Sequence, residues 1–116
     1  MFVPILLGSE SDTEHAEKIG EWLKKFEIPY EIKVISAHKV PEKLIQYIEK
    51  MSHEKDVVYI TIAGRSNGLS GVTAGSTVHP VIACPPFSSK EDYLINIHST
   101  LQMPSDTPVL TVLEPQ

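Results

Sequence analysis

The sequence predicts an α/β fold: a central parallel sheet covered by helices on both faces, three layers in all. Three observations lead there. Short apolar runs rich in β-branched residues alternate with segments of helical periodicity in the order βαβαβαβαβ. That alternation implies parallel strands joined by helical crossovers. The polar, chemically able residues fall directly after the strand runs, at the edge where open α/β sheets bind ligands. The length, 116 residues, suits one domain with one core.

Residues 2–7 form a short apolar run that stops at Gly8 and reads as a buried strand. Residues 13–27 carry Ala16, Ile19, Trp22, Leu23 and Phe26 at helical spacing, so the Trp22 stripe is expected in the core. Ser11, followed three residues later by Glu14, supplies a capping box for that helix. Residues 30–35 alternate as a strand does. Pro41 opens a second helix with Leu44, Ile45, Ile48 and Met51 on its apolar face. Residues 57–63 are a third strand. A glycine-rich stretch, 64–75, follows, and residues 69–76 read as a short helix of small side chains that permits close backbone approach. The Gly71–Gly75 spacing points the same way. Residues 80–84 are a fourth strand, Pro85 and Pro86 break the chain, residues 92–101 are helical, and residues 109–113 are a fifth strand. The expected architecture is a doubly wound, flavodoxin-like sandwich with residues 1–116 as a single domain. A helix closing the sheet after the last strand is not expected within these residues, so a further segment or another subunit would cover that face.

Composition removes several classes. Ten basic against fifteen acidic residues give a net charge of −5, whereas a protein whose main ligand is a phosphate backbone usually carries a basic excess. No nucleic-acid partner is expected. A hydrophobic fraction of 41% and a charged fraction of 22% are ordinary for a globular domain and unlike disordered or coiled-coil chains. The one cysteine, Cys84, excludes an internal disulfide, suits a reducing, cytoplasmic setting, and reads as a small buried hydrophobe. The apolar start is too short for a membrane span and lacks a charged leader, so no membrane partner is expected. His15, His53, His79 and His98 lack metal-ligand spacing and read as structural or solvated.

The candidate site is assembled from the strand ends. After the first strand stand Gly8, Ser9, Glu10, Ser11 and Asp12, where hydroxyls and the free N–H groups of a helix start suit a phosphate and Asp12 suits ribose hydroxyls. Ser11 as a plain helix cap is the alternative. After the second strand stand Ser36, Ala37, His38 and Lys39. A histidine there is placed to act as acid or base near neutral pH; taken alone it reads as a surface residue before a helix, and Arg65 and Ser66 on the adjacent strand end bring the two readings level. After the third strand stand Gly64, Arg65, Ser66, Asn67 and Gly68. Arg65 can fork onto a phosphate, and Ser66 and Asn67 can hold a carboxyl or amide group. A glycine-rich turn with a solvated arginine is the plainer reading.

These three strand-end motifs, followed in order by Pro80-Val81-Ile82-Ala83-Cys84-Pro85-Pro86, resemble the phosphoribosylaminoimidazole carboxylase catalytic family of purine biosynthesis. The likeness covers nearly the whole chain. Lys39 and the run Ala63-Gly64-Arg65-Ser66-Asn67-Gly68-Leu69 resemble the class that carboxylates aminoimidazole ribonucleotide directly with carbon dioxide. The other class, a mutase acting on the N5-carboxyamino compound, has Ala-Gly-Gly and a later histidine. The resemblance implies a cytoplasmic homo-oligomer, a tetramer or octamer, that needs no metal, biotin or ATP. It implies that Ser9 and Ser11 hold the ribose phosphate and Asp12 the ribose hydroxyls. Arg65 and Ser66 would bind the phosphate or lie beside it, with Gly8, Ser36, Ala37 and Gly64 completing the substrate site. His38 would shuttle the proton, and Lys39, Asn67 and the backbone of residues 66–68, Gly68 included, would line the carbon dioxide site. A non-catalytic module that binds phosphoribosyl ligands is the rival of another class. It would keep Ser9, Ser11, Asp12 and Arg65 and have no need of His38.

Overall fold

The apolar run at the start of the chain becomes the central strand β1, Val3–Leu7, buried along its whole length. In the computed structural model, which describes residues 1–116, β1 pairs in parallel with β2 (Tyr30–Val34) on one side and β3 (Tyr59–Ile62) on the other. β4 (Val81–Ala83) and a two-residue β5 (Leu110–Thr111) continue from β3. The order is β2-β1-β3-β4-β5, all parallel, which is the flavodoxin-like order expected. A strand flanked on both sides and covered on both faces has no wet side, and this is why β1 lacks polar alternation.

Successive β1 residues feed two different cores. Val3, Ile5 and Leu7 pack with Ala16 and Ile19 of α1 (Thr13–Lys25), while Leu6 packs with Leu44, Ile48 and Met51 of α2 (Pro41–Met51) and Leu69 of α3 (Gly68–Ser76). Leu44 and Ile48 are at most 1% exposed, so truncating either to alanine costs about 2–5 kcal/mol. Two short helices, α4 (Lys90–Asn96) and α5 (His98–Leu101), connect β4 to β5, and the buried hydroxyls of Ser70 on α3 and Thr100 on α5 bond at 3.1 Å. No helix is long and apolar enough to cross a membrane.

Four expectations are corrected. Trp22 is 43% and Phe26 68% exposed. They stack on each other on the outside of α1, with the Lys25 ammonium 4.5 Å over the indole, because α1 meets the sheet along Ala16, Ile19, Gly20 and the half-buried Leu23. Ile45 is likewise 42% exposed, one step off the buried Leu44–Ile48 line of α2. The Ser11 capping box does not form. A 3₁₀ turn, Glu10–Asp12, intervenes before α1, and the capping oxygen is Ser9 Oγ, which accepts from the Ser11 N–H. The helix expected over 92–101 begins at Lys90 and divides at Ile97, the residue that caps both α4 and α5.

Candidate active site

The strand ends converge on a cleft of about 350 Å³. Its floor is possible because two glycines permit close approach. A Cβ on Gly8 would stand 3.2 Å from Ala63 Cβ, and one on Gly64 would stand 2.8 Å from the Pro86 carbonyl oxygen. Eleven predicted residues line this one cleft: Gly8, Ser9, Ser11, Asp12, Ser36, Ala37, His38, Gly64, Arg65, Ser66 and Gly68.

The β1 loop is held by its own hydroxyls. Ser11 Oγ donates to Ser9 Oγ at 3.0 Å, and Thr13 Oγ1 donates to the Glu10 carbonyl at 2.7 Å. Asp12, the cap residue of α1, makes no side-chain capping bond. Burial raises its carboxyl above the ordinary carboxylate range, an effect that nearby His15 partly opposes. His15 is structural as expected: its Nε2–H donates to the Cys84 carbonyl at 3.2 Å and ties α1 to the end of β4.

After β2 the chain turns on Ser36. Its Oγ accepts from the Lys39 N–H at 3.2 Å, and its carbonyl accepts from the Val40 N–H at 3.0 Å. This turn aims His38 across the cleft to Gly68, where a Cβ would stand only 2.9 Å from Nε2. The histidine of the β2 loop is thereby brought against the first residue of α3.

The β3 loop carries the one strained backbone of the cleft. Ser66 has φ +42°, in the left-handed region, which costs an L-residue about 1–2 kcal/mol. Asn67 follows at φ −66°, ψ 79°, with the Gly68 N–H bonded to the Ser66 carbonyl at 2.7 Å. That is an inverse γ-turn, and it points the start of α3 toward the cleft.

Two predicted residues stand apart. Asn67 is 3% exposed and lies behind the wall as the α3 cap, its Oδ1 accepting from the Ser70 N–H at 3.2 Å. Lys39 is exposed and does not line the cleft. Four lining residues were missed: Ala63, Leu69, Pro86 and Asp92. The first three are apolar walls with no chemical signature. Asp92 had one, since Ser89 lies three residues before it in capping-box spacing. Its N–H donates to Ser89 Oγ at 3.1 Å. Its carboxylate accepts from the Ser88 N–H at 3.0 Å, the Ser88 hydroxyl at 3.2 Å and Asn96 Nδ2 at 2.7 Å. The Ser88 backbone N–H first, then the side chains of Asn96 and Ser88 and the charge of Arg65, hold Asp92 below the ordinary carboxylate range.

Known proteins resemble this chain in sequence and fold. A phosphoribosylaminoimidazole carboxylase of Archaeoglobus fulgidus is 44% identical over 110 residues, 95% of this chain and 60% of that protein. An N5-carboxyaminoimidazole ribonucleotide mutase of Aquifex aeolicus is 39% identical over 110 residues, 95% of this chain and 66% of that protein. This chain thus spans about two thirds or less of these two relatives. The crystal structure of Treponema denticola PurE superposes with a TM-score of 0.90 at 45% identity, covering 98% of this chain and 72% of that one. The family model described as AIR carboxylase matches residues 2–115. The chain belongs to the AIR carboxylase family.

Proposed function

We propose that this chain is a 5-aminoimidazole ribonucleotide carboxylase of purine biosynthesis, with residues 1–116 acting as one carboxylase domain in the cytoplasm. The observation that carries the reading is the meeting of phosphate-type, ribose-type and proton-transfer groups in one cleft. Ser9, Ser11, Asp12, His38, Arg65 and Ser66 arrive there from three different strand ends. Ser9, Ser11 and Arg65 bind the phosphate, and Asp12 accepts from the ribose hydroxyls.

The ring carbon beside the exocyclic amine is an enamine carbon and already nucleophilic. It attacks the carbon of carbon dioxide, forming the new C–C bond as one C=O π pair moves onto oxygen. The ring C–H bond then breaks. Its electron pair restores the aromatic ring and its proton passes to His38, which stands at the mouth of the cleft and returns it to solvent. Orientation of the two reactants supplies up to about 7–11 kcal/mol, and His38 as base contributes about 10²–10⁴-fold. Donors around the forming carboxylate, from the Ser66 hydroxyl and the backbone N–H groups of residues 66 and 67, supply further electrostatic stabilisation. Lys39 belongs to the same reading as a charge near the mouth.

A homo-oligomer, tetramer or octamer, is part of this reading. Leu94, Ile95, Leu101 and Leu110 are 55–75% exposed and offer apolar surface to a second copy. Light scattering of the purified chain measures the assembly.

The mutase activity is the second reading, favoured by the relative from Aquifex aeolicus. The deciding experiment supplies aminoimidazole ribonucleotide and bicarbonate without ATP and follows carboxylated product by ultraviolet absorbance. Product formation supports the direct carboxylase. Turnover of the N5-carboxyamino compound alone makes the protein a mutase. Ligand binding with neither turnover favours the non-catalytic module.

A further inference from the structure

Arg65 stands between two depressions. On one side is the cleft. On the other is a surface groove of about 410 Å³ that α4 contributes to with Glu91, Asp92 and Asn96. Asp92 is the one other residue that lines both. The two residues differ sharply in freedom. Arg65 is exposed, and the one ion pair in the chain is Lys18 to Glu14 at 3.6 Å, so the guanidinium has no carboxylate in direct contact and meets the Asp92 charge only at longer range. The Asp92 carboxylate, in contrast, is clamped by three donors from Ser88 and Asn96.

We infer that Asp92 is a positioning residue for Arg65, a fixed counter-charge in the α4 cap that draws the mobile guanidinium toward the mouth of the cleft for an incoming phosphate. The inference rests on the reading of the cleft as a phosphoribosyl site. A guanidinium has five donors on more than one edge, so it can face a carboxylate on one edge and a phosphate on another. Arginine is among the side chains that lose most freedom on ordering. A neighbour that restricts it beforehand reduces the cost of binding, which is preorganisation. The clamp also matters. With three donors already on its oxygens, Asp92 cannot swing into the cleft and occupy the place of the anion. The Ser88 backbone N–H, first among its partners, keeps that carboxyl low, so the charge is present near neutral pH.

The test is a double-mutant cycle read by calorimetry with ribose 5-phosphate as the probe and unphosphorylated ribose as control. Asp92→Asn keeps the cap oxygen and removes the charge, and it should weaken ribose 5-phosphate binding about three- to tenfold in an otherwise native chain. In an Arg65→Ala background it should change nothing. Asp92→Glu keeps the charge and disturbs the cap. It should therefore bind ribose 5-phosphate better than Asp92→Asn although it melts lower, the reverse of the ranking a purely structural cap gives. Equal losses from Asp92→Asn in both backgrounds, or tighter binding because the carboxylate merely repels phosphate, would overturn the inference. If Arg65→Ala weakens binding and Asp92→Asn does not, the inference alone falls. If Arg65→Ala leaves ribose 5-phosphate binding unchanged, the phosphate role of Arg65 falls first and takes the inference with it.

Discussion

Gly68 separates stability from catalysis. It is the first residue of α3 after the Asn67 cap, and its φ is not positive. The His38 ring packs on its Cα, so an added Cβ would stand 2.9 Å from Nε2 and 3.6 Å from Cδ2 and Cε1. A shift of about 0.5 Å restores ordinary contact. His38 is exposed and yields at little cost to the fold. Meanwhile alanine narrows the unfolded ensemble, worth about 0.4–1 kcal/mol where the native conformation tolerates it. For a domain of this size Gly68→Ala should raise Tm by about 2–5 °C. Turnover should move the other way. A misplacement of about 1 Å can cost 10²-fold, so half that shift should lower kcat about tenfold, while Kd for ribose 5-phosphate changes less than about twofold. Thermal melts, calorimetry and the carboxylation assay on one preparation read all three. Unchanged kcat at a raised Tm would refute the claim that His38 acts from its seat on Gly68. A fall in Tm would refute the claim that the ring moves freely.

Other consequences follow from the same geometry. His38→Asn should lower kcat by about 10²–10⁴-fold and leave ribose 5-phosphate binding intact; full turnover in the assay would remove His38 from the chemistry. Burial makes the ionised Asp12 less favourable in the folded chain than in the unfolded one. Its ionisation therefore subtracts stability as pH climbs from the unfolded value through the higher folded one. Asp12→Asn should thus melt higher than the parent at pH 7 and alike near pH 3, below the carboxylate range of about 3.9, and a lower melting point at pH 7 would reverse the sign. Cys84 is 2% exposed and burial pushes its thiol up to about 11. A thiol reagent at pH 8 should label the native chain at least about 100-fold more slowly than the urea-unfolded one, and equal rates would contradict the burial. Ser66 and Glu27 both have left-handed φ, 42° and 58°. Glycine at either should stabilise by about 0.5–1 kcal/mol in urea titrations, but only Ser66→Gly should weaken ligand binding. Equal effects on binding would deny Ser66 a role in the cleft.

The sheet was legible because burial on both faces leaves a plain mark. Apolar runs such as residues 2–7 and 57–63 have few other readings, and helical periodicity between them forces parallel pairing. The cleft was legible for a related reason. A parallel sheet exposes its strand ends at one edge, so Ser9, Asp12, His38 and Arg65 meet although His38 stands 26 positions after Asp12 and Arg65 stands 27 after His38. What stayed hidden depended on contacts that spacing does not encode. Trp22 and Phe26 have the right periodicity, yet α1 sits on the sheet through Ala16, Ile19 and Leu23. Asn67 has the right chemistry, but its oxygen is committed to Ser70. Asp92 belongs to the cleft because α4 starts before the residue where periodicity placed it, and a capping pattern rather than hydrophobicity marks that start.

The unfavourable features of the fold explain why the cleft has the shape it does. Gly8 and Gly64 lack side chains where neighbours press closest, Ser66 holds a left-handed backbone, and Asp12 is a carboxyl in a partly dry wall without a capping bond. The strain at Ser66 and the desolvation at Asp12 each oppose folding, and each lies at the end of a strand that is buried along its whole length. The remaining left-handed residues, Glu27, Asp56 and Asp106, precede β2, β3 and β5 in turns at the other edge of the sheet, where a turn alone accounts for them. Only at the cleft does strain coincide with close backbone approach, a desolvated carboxyl and a guanidinium with no carboxylate in direct contact. A plain connecting loop has no use for that combination, since relaxing any one member would stabilise the chain. A site that must hold an anion, a sugar and a reacting ring in fixed relation needs all of them at once.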